Sequence, residues 1–482
     1  MRIKSIIGAT IIIVFIVLVA WKDAGAVFNF SDCFSMTGFV RYEFGIHTGQ
    51  SNPNFPPGDN HKLSLSRFSL QTEWTYQPTD SFRAFAIIRA TGDTTSLWDD
   101  KLHKYNAFPV DVPEYDWMMM KASEETFRAE VWELYADLTL GNLWLRLGKQ
   151  QIAWGEMIGG RILDQINALD QSWNVSFEPE EFELIRIPAW SIRGIYQIKQ
   201  NVLKFLTDTT IEAFVNPADW YPNFTGDAGA PFWLAKFPPV LKISQDDQKD
   251  RRGKPQFGFR LGGMVKNIYF TLNYMSLYSQ SSVLKFREFV PGGLGIDAKY
   301  PSINIFGASA NYAFPQPIGV VVSLEGIWIP DQPYSRAGAA LPDIRDQGTG
   351  KIAINLSRPT SIIPDSFLSA SFATITLQLT QTWVEGDERR ILFGGMKVDK
   401  DQESLVFQIQ QPLWHNTLTP TFQFVYDLDD AYMIKPSIKY QWRNHWYFDV
   451  FSTILGGEER RPGRLGGFYW ADTTYGRITY QF

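Results

Sequence analysis

The chemistry-bearing residues of this chain are charged side chains set into period-two stretches. Arg41, Glu43, Arg67, Glu73, Arg83, Arg89, Glu133, Asp137, Arg146, Arg193, Arg260, Glu325, Lys435 and Lys439 fall on the polar side of an apolar/polar alternation, as do Glu212, Asp449 and Arg477. Residues two apart share one face of a strand, so these groups are candidates to line one wet surface, a lumen. An unpaired charge in a confined site is costly, so mixed signs at close quarters form ion-pair networks. Two roles stay open for them: stiffening a wall, or lining a polar path. The slight basic excess allows a preference for anions.

Catalytic material is sparse. General acid–base work falls mostly to His or paired carboxylates. His47, His61 and His103 stand in or beside long loops, and His415 and His445 at short turns, none with a Ser partner on one strand face. There is no G-x-S-x-G elbow, and Asp429-Asp430 fits a solvated turn. A single cysteine, Cys33, excludes a disulfide framework and any Cys-based zinc or haem site. No Walker A motif is present, so this chain is no nucleotide-driven pump. With 45 Lys and Arg against 51 Asp and Glu, the net charge of −6 argues against a nucleic-acid partner. The reading is therefore no enzyme, no cofactor and no metal.

The elements that must position the charged face are strands. Val40, Tyr42, Phe44 and Ile46 alternate with Arg41, Glu43, Gly45 and His47. The same pattern covers 67–76, 83–90, 133–147, 190–198, 257–274, 320–328, 374–380, 421–427, 434–440 and 446–454. Short turns fall near 78–80, 141–142, 200–206, 266–267, 314–318, 358–366, 412–417 and 441–445. Long loops fall at 93–127, 151–188, 216–255, 279–302, 330–350 and 385–402. Short turns at one end and long loops at the other mark outer-membrane barrels, with the turns periplasmic and the loops extracellular. Apolar-strand ends carry Trp74, Tyr76, Tyr196, Trp328, Trp383, Tyr440, Trp442 and Trp446, which suit the aromatic girdles of such barrels. The expected fold is all-β: a transmembrane antiparallel β-barrel of about 18 strands, with roughly 16 or 20 also open.

Both ends of the chain fit that fold. Arg2 and Lys4, the apolar run Ile6–Ala20 and Ala24-Gly25-Ala26 read as a secretory signal over residues 1–26. Residues 27–482 then form a single barrel. No later segment nears the ~18 apolar residues of a spanning helix. The ending Ile478-Thr479-Tyr480-Gln481-Phe482 alternates, and Phe482 resembles the signal read by the barrel assembly machinery. The implied location is the outer membrane of a Gram-negative bacterium, with outer-membrane lipid and that machinery as partners.

The loop after the fifth strand is distinctive. Ile162, Ile166 and Leu169 have helical spacing, with Asp164, Gln165, Asn167 and Asp170 opposite. The expectation is a short amphipathic helix, either folded into the barrel mouth or lying on the surface. If it folds inward, Trp154, Glu156, Arg161, Asp164, Asn167 and Asp170 are the constriction candidates.

Gly148-Lys149-Gln150, Trp154-Gly155-Glu156, Leu163-Asp164-x-Ile166-Asn167-x-x-Asp170, Arg186-Ile187-Pro188-x-Trp190 and Asp219-Trp220-Tyr221-Pro222-Asn223 resemble a family of outer-membrane barrels known as a domain of unknown function (DUF thirteen-oh-two). Where that family usually has Asn-Pro-x-Asp, this chain has Asn167-Ala168-Leu169-Asp170. The resemblance implies a porin-like outer-membrane barrel, often encoded near RND-type exporters of lipid or hydrophobic compounds. Periplasmic or inner-membrane transporter components would then be partners. It implies no catalytic residue.

Three functions compete. The first is passage of a hydrophobic or amphipathic solute, in an export or lipid-transfer system. The second is passive diffusion of small polar solutes. The third, an outer-membrane enzyme, has least support. Trp98, Trp117, Met118, Met119, Met120, Trp233 and Phe237 in the long loops could bind an oily ligand or pack the loops into a cap.

Overall fold

The computed structural model describes residues 27–49, 63–94, 115–116, 121–124, 127–158, 160–170, 182–198, 206–217, 220–221, 223, 241–245, 254–336, 343–361, 372–386, 391–393, 396–428, 431–457 and 472–482. Residues 1–26, read above as a signal, the seven loop residues from Trp98 to Phe237, His61, His103 and Asp429-Asp430 lie outside them.

Eighteen strands form a closed antiparallel barrel. Around the wall they are β1 (Phe34–His47), β2 (Leu63–Thr79), β3 (Phe82–Asp93), β4 (Phe127–Leu140), β5 (Leu143–Gln150) and β6 (Ala189–Gln197). There follow β7 (Thr207–Asn216), β8 (Gln256–Val265), β9 (Ile268–Tyr278), β10 (Ser302–Ala313), β11 (Val321–Arg336) and β12 (Asp343–Thr360). The last six are β13 (Ala373–Val384), β14 (Asp401–Gln410), β15 (Leu418–Asp427), β16 (Ala431–Trp442), β17 (Trp446–Gly457) and β18 (Thr473–Gln481). Each pairs with its sequence neighbour, and β18 closes on β1 from Phe39↔Gln481 to His47↔Thr473. Closure leaves the wall no open edge, which is what lipid demands of a spanning sheet.

Alternation decides which way each residue points. Ile88, Leu134, Ile192, Phe259, Leu272, Leu324, Leu379 and Val450 are exposed on the outer face. Arg67, Ser69, Gln71, Arg89, Thr271, Glu325, Gln378 and Thr453 are buried inside. The tight turns use left-handed residues, Gly141 at φ 62° and Lys266 at φ 54°, a region that costs glycine nothing. Tyr76, Tyr196, Tyr440 and Trp442 are exposed near the short-turn end. Trp74 stacks there on Phe30 and Phe34, with centroids 5.8 and 5.6 Å apart.

Phe482 seals the β1–β18 seam. Its N–H donates to Gly38 O at 2.9 Å, and Gly38 N–H donates back to Phe482 O at 2.8 Å. The ring is buried, edge-on to Phe28 at 5.7 Å. A Cβ on Gly38 would meet that ring at 3.0 Å.

The barrel wall departs from the sequence reading in three places. Residues 330–350 are not a long loop: β11 runs to Arg336 and β12 resumes opposite it at Asp343. A register shift between Ile329 and Gln332 carries the pairing past Pro330, whose missing N–H cannot join a ladder. The turn expected over 358–366 starts later, because β12 stays paired to Thr360. On β4, Glu133 pairs with Ile87 but Val131 with Ile88, so Trp132 is an extra residue in a bulge. The bulge resets the parity, turning Arg128 and Glu130 inward, and both are buried.

Candidate functional site: a loop packed on the inner wall

The described residues of the loop after β5 pack against the inner wall of the barrel. Ile152, Trp154, Met157, Ile162 and Leu163 pack with Phe214 of β7, Met275 and Leu277 of β9, Ile303 and Ile305 of β10, Ile327 and Ile329 of β11 and Ala353 of β12. The inner wall is thus apolar toward the long-loop end of these strands, where Thr271 and Asn273 give way to Met275 and Leu277. A dry core of this kind is stabilised by the apolar area it removes from water.

Wall side chains reach in to hold the loop backbone. Glu325 is buried and takes Glu156 N–H on Oε1 and Leu163 N–H on Oε2, the latter at 3.1 Å. Gln378 Oε1 accepts Ile158 N–H at 2.9 Å. Trp154 Nε1–H donates to Glu212 Oε1 at 2.7 Å, and the same oxygen receives Arg193 Nε–H at 2.7 Å. Such bonds to an ionised carboxylate are about twice as strong as neutral ones.

No helix forms over 160–170. Asn167 accepts Ile152 N–H at 2.8 Å and donates to Ile187 O at 2.7 Å. Asp164 accepts Arg186 Nε–H at 2.9 Å and lies 3.3 Å from Arg161 Nε. Arg161 also donates to Gln280 Oε1 at 3.0 Å and to Asn167 O. Gln165 Nε2–H donates to Arg161 O at 2.8 Å and Ile162 O at 3.0 Å, and side chains that bond nearby backbone offer it an alternative to the helical ladder. Asp164, Asn167 and Asp170, expected on a wet helix face, are buried instead. Burial holds the pKa of the Arg161 guanidinium below its ordinary value, and neighbouring Asp164 only partly opposes this. The only helix of the described residues is one turn, Phe182–Ile185.

The returning end of the loop is pinned by a buried ion cluster. Arg89 Nη2 lies 2.9 Å from Glu130, Arg128 Nη1 lies 2.8 Å from Asp170, and Arg128 Nε lies 3.4 Å from Glu130. These side chains are at most 1% exposed. Arg89 also donates to Leu184 O at 2.7 Å and lies over the Trp132 ring at 3.3 Å.

Beneath the loop, in the short-turn half, is a chamber of about 650 Å³. Arg41, Glu73, Glu133, Arg193 and Lys439 line it, with Gln151, Ala153, Leu184 and Arg186 from the loop. The other wall candidates also lie in the bore, but in fixed pairs or packed sites. Arg146 grips Asp137 through bonds of 2.7 and 3.0 Å. Glu43 lies 3.7 Å from Arg477, which donates to Asp449 at 3.0 Å. Arg260 is 4.0 Å from Glu212, Arg83 lies over Phe85 at 5.0 Å, and Arg67 and Lys435 are buried.

Arg128, Glu130, Trp132 and Gln378 were not among the charged candidates. Val131-Trp132 puts two apolar residues where alternation allows one, which is the trace a bulge leaves. Gln378 is hidden because an uncharged residue in a Thr/Gln row signals nothing by itself. Of the histidines, His445 Nδ1 is 2.9 Å from Gln481 O, and His47 Nδ1 is 3.4 Å from the Thr473 hydroxyl.

The match to a family profile covers residues 24–482 and is described as a protein of unknown function, DUF1302. This chain belongs to the DUF1302 family. No curated protein matches it in sequence. Among solved structures, Acinetobacter baumannii OccAB3 is similar at a TM-score of 0.51 and 8% identity, over 93% of this chain and 99% of that one. Acinetobacter baumannii OccAB4 is similar at 0.51 and 9%, over 94% and 100%. At such identities the likeness is one of fold: this DUF1302 chain is a porin-like barrel of the outer-membrane type.

Proposed function

We propose that this DUF1302 barrel is an outer-membrane conduit for a hydrophobic or amphipathic solute, with the loop after β5 as its plug. The observation that carries the reading is the seating of Ile152, Trp154, Met157, Ile162 and Leu163 in an apolar core inside the bore, with Glu325 and Gln378 holding the backbone of Glu156, Ile158 and Leu163. A loop anchored in this way obstructs free diffusion of small polar solutes. The implied location is the Gram-negative outer membrane, reached by secretion with residues 1–26 as leader. Components of an RND-type or lipid-transfer system are the proposed partners. In this reading Arg41, Glu73, Glu133, Arg193 and Lys439 line the path, while Trp154, Glu156, Arg161, Asp164, Asn167 and Asp170 belong to the constriction.

Planar-bilayer recording tests this. The wild-type barrel should conduct little, and replacing residues 152–168 with a short Gly-Ser linker should give steady conductance. A wild-type pore that is steadily open and unchanged by the replacement would overturn the plug. A passive porin is the second reading, favoured by the charged lining of the chamber. Lipase and protease assays on purified protein address the enzyme alternative, and clear turnover would displace both transport readings.

A further inference from the structure

The chamber under the plug has two unlike arcs, separated by β2. On β1, β16 and β18 it is basic: Arg41, Lys439 and Arg477 face it. On β3 and β4 it is apolar and aromatic: Phe85, Ile87, Trp132 and Tyr135. The wall carboxylates of the chamber already accept donors. Asp449 takes Arg477 at 3.0 Å, Glu73 takes the Gln71 amide at 2.9 Å, and Glu133 takes Gln151 N–H at 3.0 Å. Glu183 belongs to the roof and is exposed. Lys439 differs from these. It is exposed toward the chamber, stands opposite Asp449 in the β16–β17 ladder, and has its Nζ 5.0 Å from the Tyr447 ring, while the Asp449 carboxylate accepts from Arg477. Arg41 reaches the Thr479 hydroxyl at 3.2 Å and lies over Phe39 at 4.7 Å.

A cavity of this volume lies within the ~300–1,000 Å³ of small-molecule sites, which combine apolar walls with a few placed polar groups. We propose that the chamber is a binding site for amphipathic monoanions, with the anionic head at Lys439 and Arg41 and the apolar body against Phe85, Ile87 and Tyr135. The site deepens the transport reading and rests on it for its purpose. Rings lie beneath both cations and place apolar surface beside them, and a bond from either cation to a carboxylate is charge-assisted.

The test is calorimetric titration of the purified full barrel with phenylbutyrate, its uncharged amide and butyrate. Phenylbutyrate should bind at least about tenfold more tightly than either the amide or butyrate, one charged contact and one ring being lost respectively. Lys439→Gln should weaken phenylbutyrate by about tenfold and leave the amide unchanged. Phe85→Ala should weaken both. Absence of phenylbutyrate binding, equal binding of acid and amide by the wild type, or an acid affinity untouched by Lys439→Gln would overturn the site. The acid–amide comparison needs no variant, so it stands even where a substitution prevents folding. Conductance of the linker-replaced barrel is read separately. Selective binding without a conductance change refutes the plug and keeps the site, and the converse refutes the site and keeps the plug.

Discussion

Asp170→Ala is the sharpest test of how the plug is fastened. Its carboxylate lies 2.8 Å from Arg128, and both side chains are at most 1% exposed. Asp170 and Glu130 are the carboxylates facing Arg89 and Arg128, so the substitution removes a buried negative charge from beside Arg128. Breaking a buried pair by removing one partner costs about 3–5 kcal/mol. The Asp170 backbone keeps its bond to Ile185 O at 2.7 Å, so the loss falls on the charge cluster. If that free energy acts on plug seating, release becomes roughly a hundredfold to a few thousandfold more frequent. Single-channel recording reads this as openings that the wild type rarely shows. Asp170→Asn, which keeps an acceptor without the charge, should fall between. Asp343→Ala is the control, because its 3.7 Å pair with Arg345 is about half exposed and exposed pairs contribute little. Asp170→Ala records identical to wild type, in a preparation where the linker replacement does conduct, would refute electrostatic fastening.

Other outcomes follow from the same contacts. Glu325→Gln removes the charge that receives Glu156 N–H and Leu163 N–H. It should loosen the plug by about 1–3 kcal/mol, read as faster tryptic cleavage after Arg161. Gly307→Ala places a methyl against Leu163 Cδ2 and should cost about 1–3 kcal/mol through overpacking. A lowered melting temperature in detergent, rescued by Leu163→Ala, is the expected result. Phe482→Ala removes a buried ring from the seam and should cost about 3–5 kcal/mol. The folded fraction, from heat-modifiable gel mobility, should fall accordingly.

The wall was legible in the sequence because period-two alternation is a local property. Val40 through His47 declare an inner and an outer face without reference to any other strand. The bulge at Trp132 was not legible in the same way, since parity on β4 depends on where β3 stops matching it. Ile162, Ile166 and Leu169 do have helical spacing, yet the segment is irregular. Its backbone partners include Glu325 and Asn223, far away in the chain, and no local pattern announces these two. The apolar inner face of β9 to β11 is hidden for a related reason: Met275, Leu277, Ile303, Ile305, Ile327 and Ile329 are covered by a loop from elsewhere in the chain.

The dry core around Leu163 also sets how the plug responds to temperature. Lifting Ile152, Trp154, Met157, Ile162 and Leu163 off the wall wets apolar surface that is buried when the loop is seated. Wetting such surface raises the heat capacity, so the free energy of release is curved in temperature and passes through a maximum. The plug is then most firmly seated at an intermediate temperature and loosens on both cooling and heating, whereas a latch held by charges alone would lack that curvature.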